Sequence, residues 1–256
     1  MSAGNPTPQP LREVVSYVHR GGRMTDGQEL AWNRWWPVYG RALGPVNANP
    51  LPAGPRQDAG SNDSAGDELD LDLRTWFGRT APVIFEIGSG MGESTAALAA
   101  AWPDVDHLAV EVYQPGLAQL LMRVQDLGLT NLRLLRADAV IVLREHVEPD
   151  TLSGIRIYFP DPWPKRKHHK RRLVQPGFVA LAASRLAAGG TLHMATDWQH
   201  YADQMRETCD AEPSLRPERE PAEDWTPRPP WRPLTKFEQR AVHEGRAVRD
   251  LIYRRV

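Results

Sequence analysis

From Pro82 onward the chain alternates short apolar runs with segments whose apolar positions recur at helical spacing. The runs 83–87, 108–112, 132–136, 155–159 and 191–195 predict β-strands. Between them, Leu117, Leu120, Leu121 and Val124 fall at i, i+3, i+4 and i+7, the stripe of an amphipathic helix. Phe178, Leu181, Ala182 and Leu186 follow a similar spacing, in a helix expected to close at Gly189-Gly190. Strands that alternate with helices build βαβ units, so the pattern predicts a Rossmann-like, doubly wound α/β fold with a mostly parallel sheet and helices on both faces.

The pattern fails upstream. Residues 44–67 are rich in Pro, Gly, Ala, Asn and Asp with almost no large apolar side chain, and such a composition does not offset the entropy lost on ordering. The expected organisation is therefore an N-terminal basic and aromatic arm over 1–43, a Pro/Gly/acidic linker, disordered in part, over 44–80, and one domain over 81–256. The arm carries Arg12, Arg20 and Arg23 ahead of the aromatic stretch 30–37.

Composition narrows the class. With 256 residues, 41% hydrophobic and 25% charged, the chain can bury one sizeable core. One cysteine, Cys209, excludes an internal disulfide and a cysteine-rich zinc site, as expected in a reducing compartment. No apolar run reaches membrane-spanning length and the N-terminus lacks the order of a signal peptide, so a cytoplasmic protein is expected, with no membrane partner. The formal net charge of -1 hides a polarised layout: residues 58–72 hold acids and no Lys or Arg, whereas 165–172 read KRKHHKRR.

Candidate chemistry begins where the first strand runs into Glu86-Ile87-Gly88-Ser89-Gly90-Met91-Gly92. Such glycines serve a tight βα turn or let a nucleotide-like ligand approach the main chain. A dinucleotide fingerprint needs its third glycine where this chain has Glu93, and pyrophosphate sits badly beside Glu93 and Glu86. S-adenosylmethionine has no phosphate but carries an ammonium, a sulfonium and a ribose diol, which acids suit. Glu111 ends the second strand, where a carboxylate can accept both ribose hydroxyls. Asp138 follows the third strand, either as a cofactor contact or as the N-cap of the next helix. Glu86, Gly88, Gly90, Gly92, Glu111 and Asp138 together resemble the cofactor half of the class I S-adenosylmethionine-dependent methyltransferases.

The fourth strand ends in Phe159-Pro160-Asp161-Pro162-Trp163-Pro164, directly before the basic run. Prolines restrict that turn at the strand's carboxyl end, where open α/β sheets place ligands. A rigid acid and an aromatic there can hold a planar base, and the neighbouring cations its phosphates. FPDPWPK with its basic run, then Ala195-Thr196-Asp197-Trp198, then Thr235-Lys236-Phe237-Glu238, resembles the bacterial tRNA (guanine-N7-)-methyltransferases. Gly22-Arg23-Met24-Thr25 and Trp36-Pro37 extend the likeness over nearly the whole chain outside 44–67.

That resemblance implies methyl transfer from S-adenosylmethionine to N7 of guanine 46 in the tRNA variable loop. It makes Glu86, Glu111, Asp138 and Asp161 cofactor contacts, with Asp161 also catalytic. Lys165, Asp197, Thr235, Lys236, Phe237 and Glu238 become substrate contacts, and Lys167, His168, His169, Lys170, Arg171 and Arg172 an RNA-binding stretch. Thr-x-x-Glu is equally a helix capping box, and Asp197 could cap the helix after it. Trp163 either packs on the base or closes the turn. Guanine N7 is already nucleophilic, so a carboxylate such as Asp161 would orient and stabilise rather than remove a proton. Metal-binding spacing such as H-E-x-x-H is absent from the sequence, and no metal is expected. The expected state is a monomer or homodimer. Two rivals remain: a methyltransferase for a small molecule or protein, which leaves KRKHHKRR unexplained, and a noncatalytic RNA-binding platform, which leaves the acids unexplained.

Overall fold

The computed structural model describes residues 22–43, 71–220 and 223–256. Arg12, Arg20 and the 44–67 segment lie outside the described residues. In chain order the elements are α1 (Asp26–Tyr39), β1 (Gly40–Ala42), α2 (Leu73–Phe77), β2 (Val83–Ile87), α3 (Glu93–Ala101), β3 (Asp106–Glu111), α4 (Gln114–Leu127), β4 (Leu132–Arg136), α5 (Ala139–Glu145) and β5 (Leu152–Tyr158). A 3-10 turn (Arg166–Arg171) follows, then α6 (Pro176–Arg185), β6 (Leu186–Thr196), α7 (Gln199–Asp210), β7 (Leu215–Pro217), α8 (Lys236–His243) and β8 (Arg249–Arg255).

The strands form one eight-stranded sheet in the order β1-β4-β3-β2-β5-β6-β8-β7. Strands β1 to β6 pair in parallel, while β8 and β7 add antiparallel at the far side. From β2 the chain winds outward first through β3 and β4, then through β5 and β6, so the order reverses beside β2. A crevice opens at the carboxyl ends of strands at such a reversal.

Strand alternation sorts the core. Phe85, Ile87, Leu108, Val110, Ile155, Ile157, Leu192 and Met194 pack on one face with α5, α6 and α7. Ala109, Leu132 and Leu134 face α1, α3 and α4 through Ala31, Ala96, Leu117, Leu120, Leu121 and Val124. On that second face β2, β5 and β6 carry Glu86, Arg156 and His193, which lie side by side in register and are all buried. The ring of Trp231 covers this polar row, with the Arg156 guanidinium 5.6 Å and the His193 ring 5.3 Å from its centroid.

Three features depart from the sequence reading. Residues 26–42, expected as an arm, join the sheet: α1 packs on α4 with Trp35 Nε1 donating to Gln125 Oε1 at 2.6 Å, and β1 extends the edge beyond β4. Within the expected linker, α2 buries Trp76 and Phe77, with Arg41 over the first ring and Arg133 over the second. The helix expected to reach Gly189 stops at Arg185, and Leu186 pairs with Leu152 in β6. Gly189 takes a left-handed φ of 77°, and a Cβ on Gly190 would meet the Leu152 carbonyl at 2.9 Å, so these glycines form a bulge inside the strand.

Candidate active site

A cavity of about 710 Å³ lies at the carboxyl ends of β2 to β5. Its lining joins Glu86, Gly88, Gly90, Glu111 and Asp138 from the first half of the sheet to Asp161, Thr235, Lys236 and Phe237 from later segments. Gly92, Lys165, Asp197 and Glu238 lie outside that lining.

The glycine loop needs its glycines: Gly88, Gly90 and Gly92 have φ of 75°, 56° and 72°, in the left-handed region that side chains disfavour. Gly92 is also crowded, since a Cβ there would sit 2.5 Å from the Leu120 side chain. The Glu111 carboxylate organises the loop from β3, accepting the Gly90 N–H at 2.9 Å on one oxygen and the Val112 and Tyr113 N–H groups at 2.7 and 2.9 Å on the other. Arg123 on α4 steadies it from outside by donating to the Met91 carbonyl at 3.2 Å.

Glu86 is buried, and its Oε1 accepts from Thr95 at 2.8 Å while Oε2 has no hydrogen-bond partner among the described residues. Burial raises its pKa, opposed by the charge of Arg156 and the Thr95 hydrogen bond. Asp138 caps α5, accepting from the Val140 N–H at 2.8 Å, and still lines the cavity. The capping role and a place in the cavity wall thus coexist.

The opposite wall is the 159–164 turn. Phe159 continues the β5–β6 ladder by donating its N–H to the Ala195 carbonyl at 2.8 Å, then turns with a positive φ of 52° into Pro160. Trp163 also takes a positive φ, 42°, unlike the extended conformation that a following proline generally favours. Such backbone is costly for bulky residues and persists where the surroundings impose it. Here Arg172 does so: it is buried and donates to the Pro162 carbonyl at 2.8 Å, His200 Nδ1 at 3.0 Å and Gln204 at 2.7 Å.

The basic run forms a 3-10 turn entered from Lys165; Lys165, Lys167, Lys170 and Arg171 are exposed, with Arg171 stacked over the Trp163 ring at 5.0 Å. His168 meets the same indole edge-on, and partial desolvation with the adjacent cations holds its pKa below the usual imidazole value. His169 packs against His200. Asp197 caps nothing on α7; it pairs with Arg246 at 3.2 Å.

The roof comes from the C-terminal segment. Thr235 caps α8 by accepting the Glu238 N–H, but Glu238 does not complete a capping box. Its carboxylate is buried against Arg232, at 2.7 Å to both Nη1 and Nη2, and also receives Arg228. Arg232 grips Asp250 on β8 as well, at 2.8 and 3.0 Å. Burial alone would lower the Arg232 pKa; its two carboxylates outweigh it and raise it. Behind Asp250, His193 Nε2 donates to its Oδ1 at 2.7 Å, which leaves Nδ1 to accept from the Tyr158 hydroxyl at 2.9 Å. Towards the cavity the Lys236 N–H donates to Glu93 at 3.1 Å and the Phe237 ring meets Phe159 with centroids 4.9 Å apart.

Arg232, Arg123 and Tyr158 line the cavity without having been picked out from sequence. Arg232 had a signal, directly before Pro233 in a stretch next to TKFE, but an isolated arginine reads as surface. Among the described residues no three His, Cys, Asp or Glu side chains gather as a metal site, and no helix is long and apolar enough to cross a membrane.

Solved structures confirm the architecture at low identity. The 16S rRNA methyltransferase KamB superposes with a TM-score of 0.53 at 17% identity, over 73% of this chain and 93% of that one. The antibiotic-resistance methyltransferase Kmr gives 0.52 at 16% identity, over 76% and 96%. By sequence, the family described as "Putative methyltransferase" matches residues 80–251. A tRNA (guanine-N(7)-)-methyltransferase of Streptomyces avermitilis is 44% identical over 96% of this chain and 76% of its own length. One of Paraburkholderia xenovorans is 43% identical over 99% and 89%, and one of a Nocardioides species 46% identical over 96% and 88%. With a methyltransferase fold, an acid-lined crevice at its switch point and likeness over almost the whole chain, this protein belongs to the tRNA (guanine-N(7)-)-methyltransferase family.

Proposed function

We propose that the protein transfers a methyl group from S-adenosylmethionine to N7 of guanine in tRNA, at position 46 of the variable loop. The observation that carries this reading is the joining, around one cavity, of the glycine-loop acids with Asp161 and the TKFE segment, beside an exposed basic turn.

The donor set fits the cofactor. Glu86 presents a buried, unpartnered carboxylate oxygen whose desolvation a cationic group would relieve. Glu111 and Asp138 add acceptors, and the left-handed glycines hold the backbone close without side chains. S-adenosylmethionine, when bound, supplies an electrophilic methyl carbon on a positively charged sulfur. Because guanine N7 needs no deprotonation, Asp161 acts by orienting the purine and stabilising the positive charge it acquires. The exposed Lys165, Lys167, Lys170 and Arg171 meet phosphates, whereas Arg172, turned inward, fixes the turn that carries them. Glu238 likewise acts through Arg232 and holds Thr235, Lys236 and Phe237 at the rim.

The direct test is to incubate the protein with labelled S-adenosylmethionine and unmodified tRNA and map N7-methylguanine by chemical cleavage at the modified base. Methylation at guanine 46 supports the reading; methylation of another guanine atom, or of protein or small molecules only, overturns it. For the cofactor, Glu111→Ala removes charge-assisted hydrogen bonds worth about 1.5–3 kcal/mol, so affinity for S-adenosylmethionine falls about 10- to 150-fold by calorimetry. An unchanged affinity removes Glu111 from the cofactor site. For the RNA, replacing Lys167, Lys170 and Arg171 together by Ala flattens the slope of log K for tRNA against log salt by up to about 2–3, since each lost phosphate contact removes about 0.7–0.9. A solvated but idle face leaves the slope unchanged.

A further inference from the structure

A second, smaller cleft lies one strand across from the cavity, where β5 and β6 end side by side. It has a volume of about 360 Å³ and is lined by Pro164, Arg166, His169, Trp198 and His200. The 159–164 turn separates the two clefts, so both open on the same carboxyl-end rim of the sheet.

Its chemistry is specific. The His169 and His200 rings lie with centroids 4.8 Å apart, tilted by 54°, beside the half-buried Trp198 indole. Neighbours fix the hydrogen placement of each imidazole. Arginine can only donate, so His200 Nδ1 accepts from Arg172 Nη1 at 3.0 Å and Nε2 carries the ring's hydrogen. A carbonyl can only accept, so His169 Nε2 donates to the Pro164 carbonyl at 3.4 Å, and in the neutral ring Nδ1 is then an acceptor. The cleft therefore combines aromatic faces, a ring N–H donor, a ring acceptor and the exposed cation of Arg166. Arg172 and Gln204 hold the turn against α7 and give the cleft fixed walls.

We propose that this cleft binds an unpaired nucleotide neighbouring the methylated guanine, with its base against Trp198 and the imidazoles and its phosphate at Arg166. Unstacked bases of single-stranded RNA are held by aromatic stacking with hydrogen bonds to their edges, and arginine adds the phosphate contact. The proposal rests on the tRNA reading above. The 159–172 segment lines the main cavity through Phe159, Pro160 and Asp161 and the second cleft through Pro164, Arg166 and His169, so RNA that enters the cavity past this rim brings a flanking nucleotide to the cleft.

Two measurements test it. The first follows the imidazole resonances of His169 and His200 by NMR in protein saturated with S-adenosylhomocysteine, titrated with adenosine 5′-monophosphate, ribose 5-phosphate or inorganic phosphate. The nucleotide shifts both imidazoles at millimolar concentration, with at least tenfold tighter binding than ribose 5-phosphate or phosphate. Equal binding of all three shows an anion site without base recognition and overturns the proposal, as does the absence of any shift. The second uses Arg166→Gln and, separately, His200→Gln, which keeps an acceptor for Arg172 but removes the ring face. Each raises the KM for tRNA about tenfold with a much smaller change in kcat; an unchanged KM in both overturns the proposal. If no RNA is methylated, the family activity fails while the nucleotide titration still reads the cleft.

Discussion

Asp161→Asn lowers the single-turnover rate of methyl transfer by about 10²–10³-fold, the scale on which one preorganised electrostatic group is lost from a transition state. The substitution keeps the size and planarity of the side chain and removes its charge, so the Pro160–Pro162 turn and the Arg172 clamp on it persist. The purine becomes positive as the methyl group arrives, so the missing charge is felt more in the transition state than in bound tRNA. The rate falls while the Kd for tRNA changes little. Because Asp161 lines the cavity that also holds the glycine loop, rates are compared at saturating S-adenosylmethionine. A wild-type rate under those conditions reduces Asp161 to a turn residue.

Arg232→Met has the largest effect on stability. Arg232, Glu238 and Asp250 are each about 1–2% exposed, and the guanidinium is the shared partner of both carboxylates. Removing it leaves two buried acids facing each other's charge, and losing one partner of a buried pair costs about 3–5 kcal/mol. At about 2–4 °C per kcal/mol for a domain of this size, the melting temperature falls by roughly 10 °C. Adding Glu238→Gln and Asp250→Asn recovers part of the loss, because the stranded charges go with them. A melting temperature that stays at the wild-type value in Arg232→Met shows the triad to be energetically idle. The remaining folded protein should still bind S-adenosylmethionine through the glycine loop, while tRNA turnover suffers from the loosened Thr235–Phe237 rim.

The central sheet was legible because its strands are long enough to show a period. In β3, Leu108 and Val110 go to one core layer and Ala109 to the other, as alternation requires. The glycine loop and its acids were legible because few backbone geometries tolerate three left-handed residues in five. Strand β1 was not, since three residues carry no period, and α2 was hidden directly behind an acidic stretch, a five-residue helix with only Leu73, Trp76 and Phe77 to give it a core face. Leu186 suited a helical stripe and a strand equally, and pairing with Leu152 decided between them. The inward turn of Arg172 and Glu238 was invisible because a charged residue is buried only with partners that no local pattern announces: His200 and Gln204 for the first, far along the chain, and Arg232, itself held by Asp250 on β8, for the second.

The two edges of the sheet have a consequence for how the protein behaves at high concentration. An edge strand exposes unpaired N–H and C=O groups on which a strand from another molecule can add, and the hazard grows with the length of straight ladder on offer. In this fold β1 covers Leu134–Arg136 of the five-residue β4, β7 covers Tyr253–Arg255 of the seven-residue β8 while Glu218 and Thr226 bond Ile252 and Asp250 further back, and the outermost described strands β7 and β1 have only three residues each. β7 closes on Pro217, which has no N–H to offer, and β1 begins at Gly40 directly after α1. Among the described residues each outermost strand thus presents too few consecutive groups to template an added strand, which works against edge-to-edge joining of a sheet whose interior is strongly apolar.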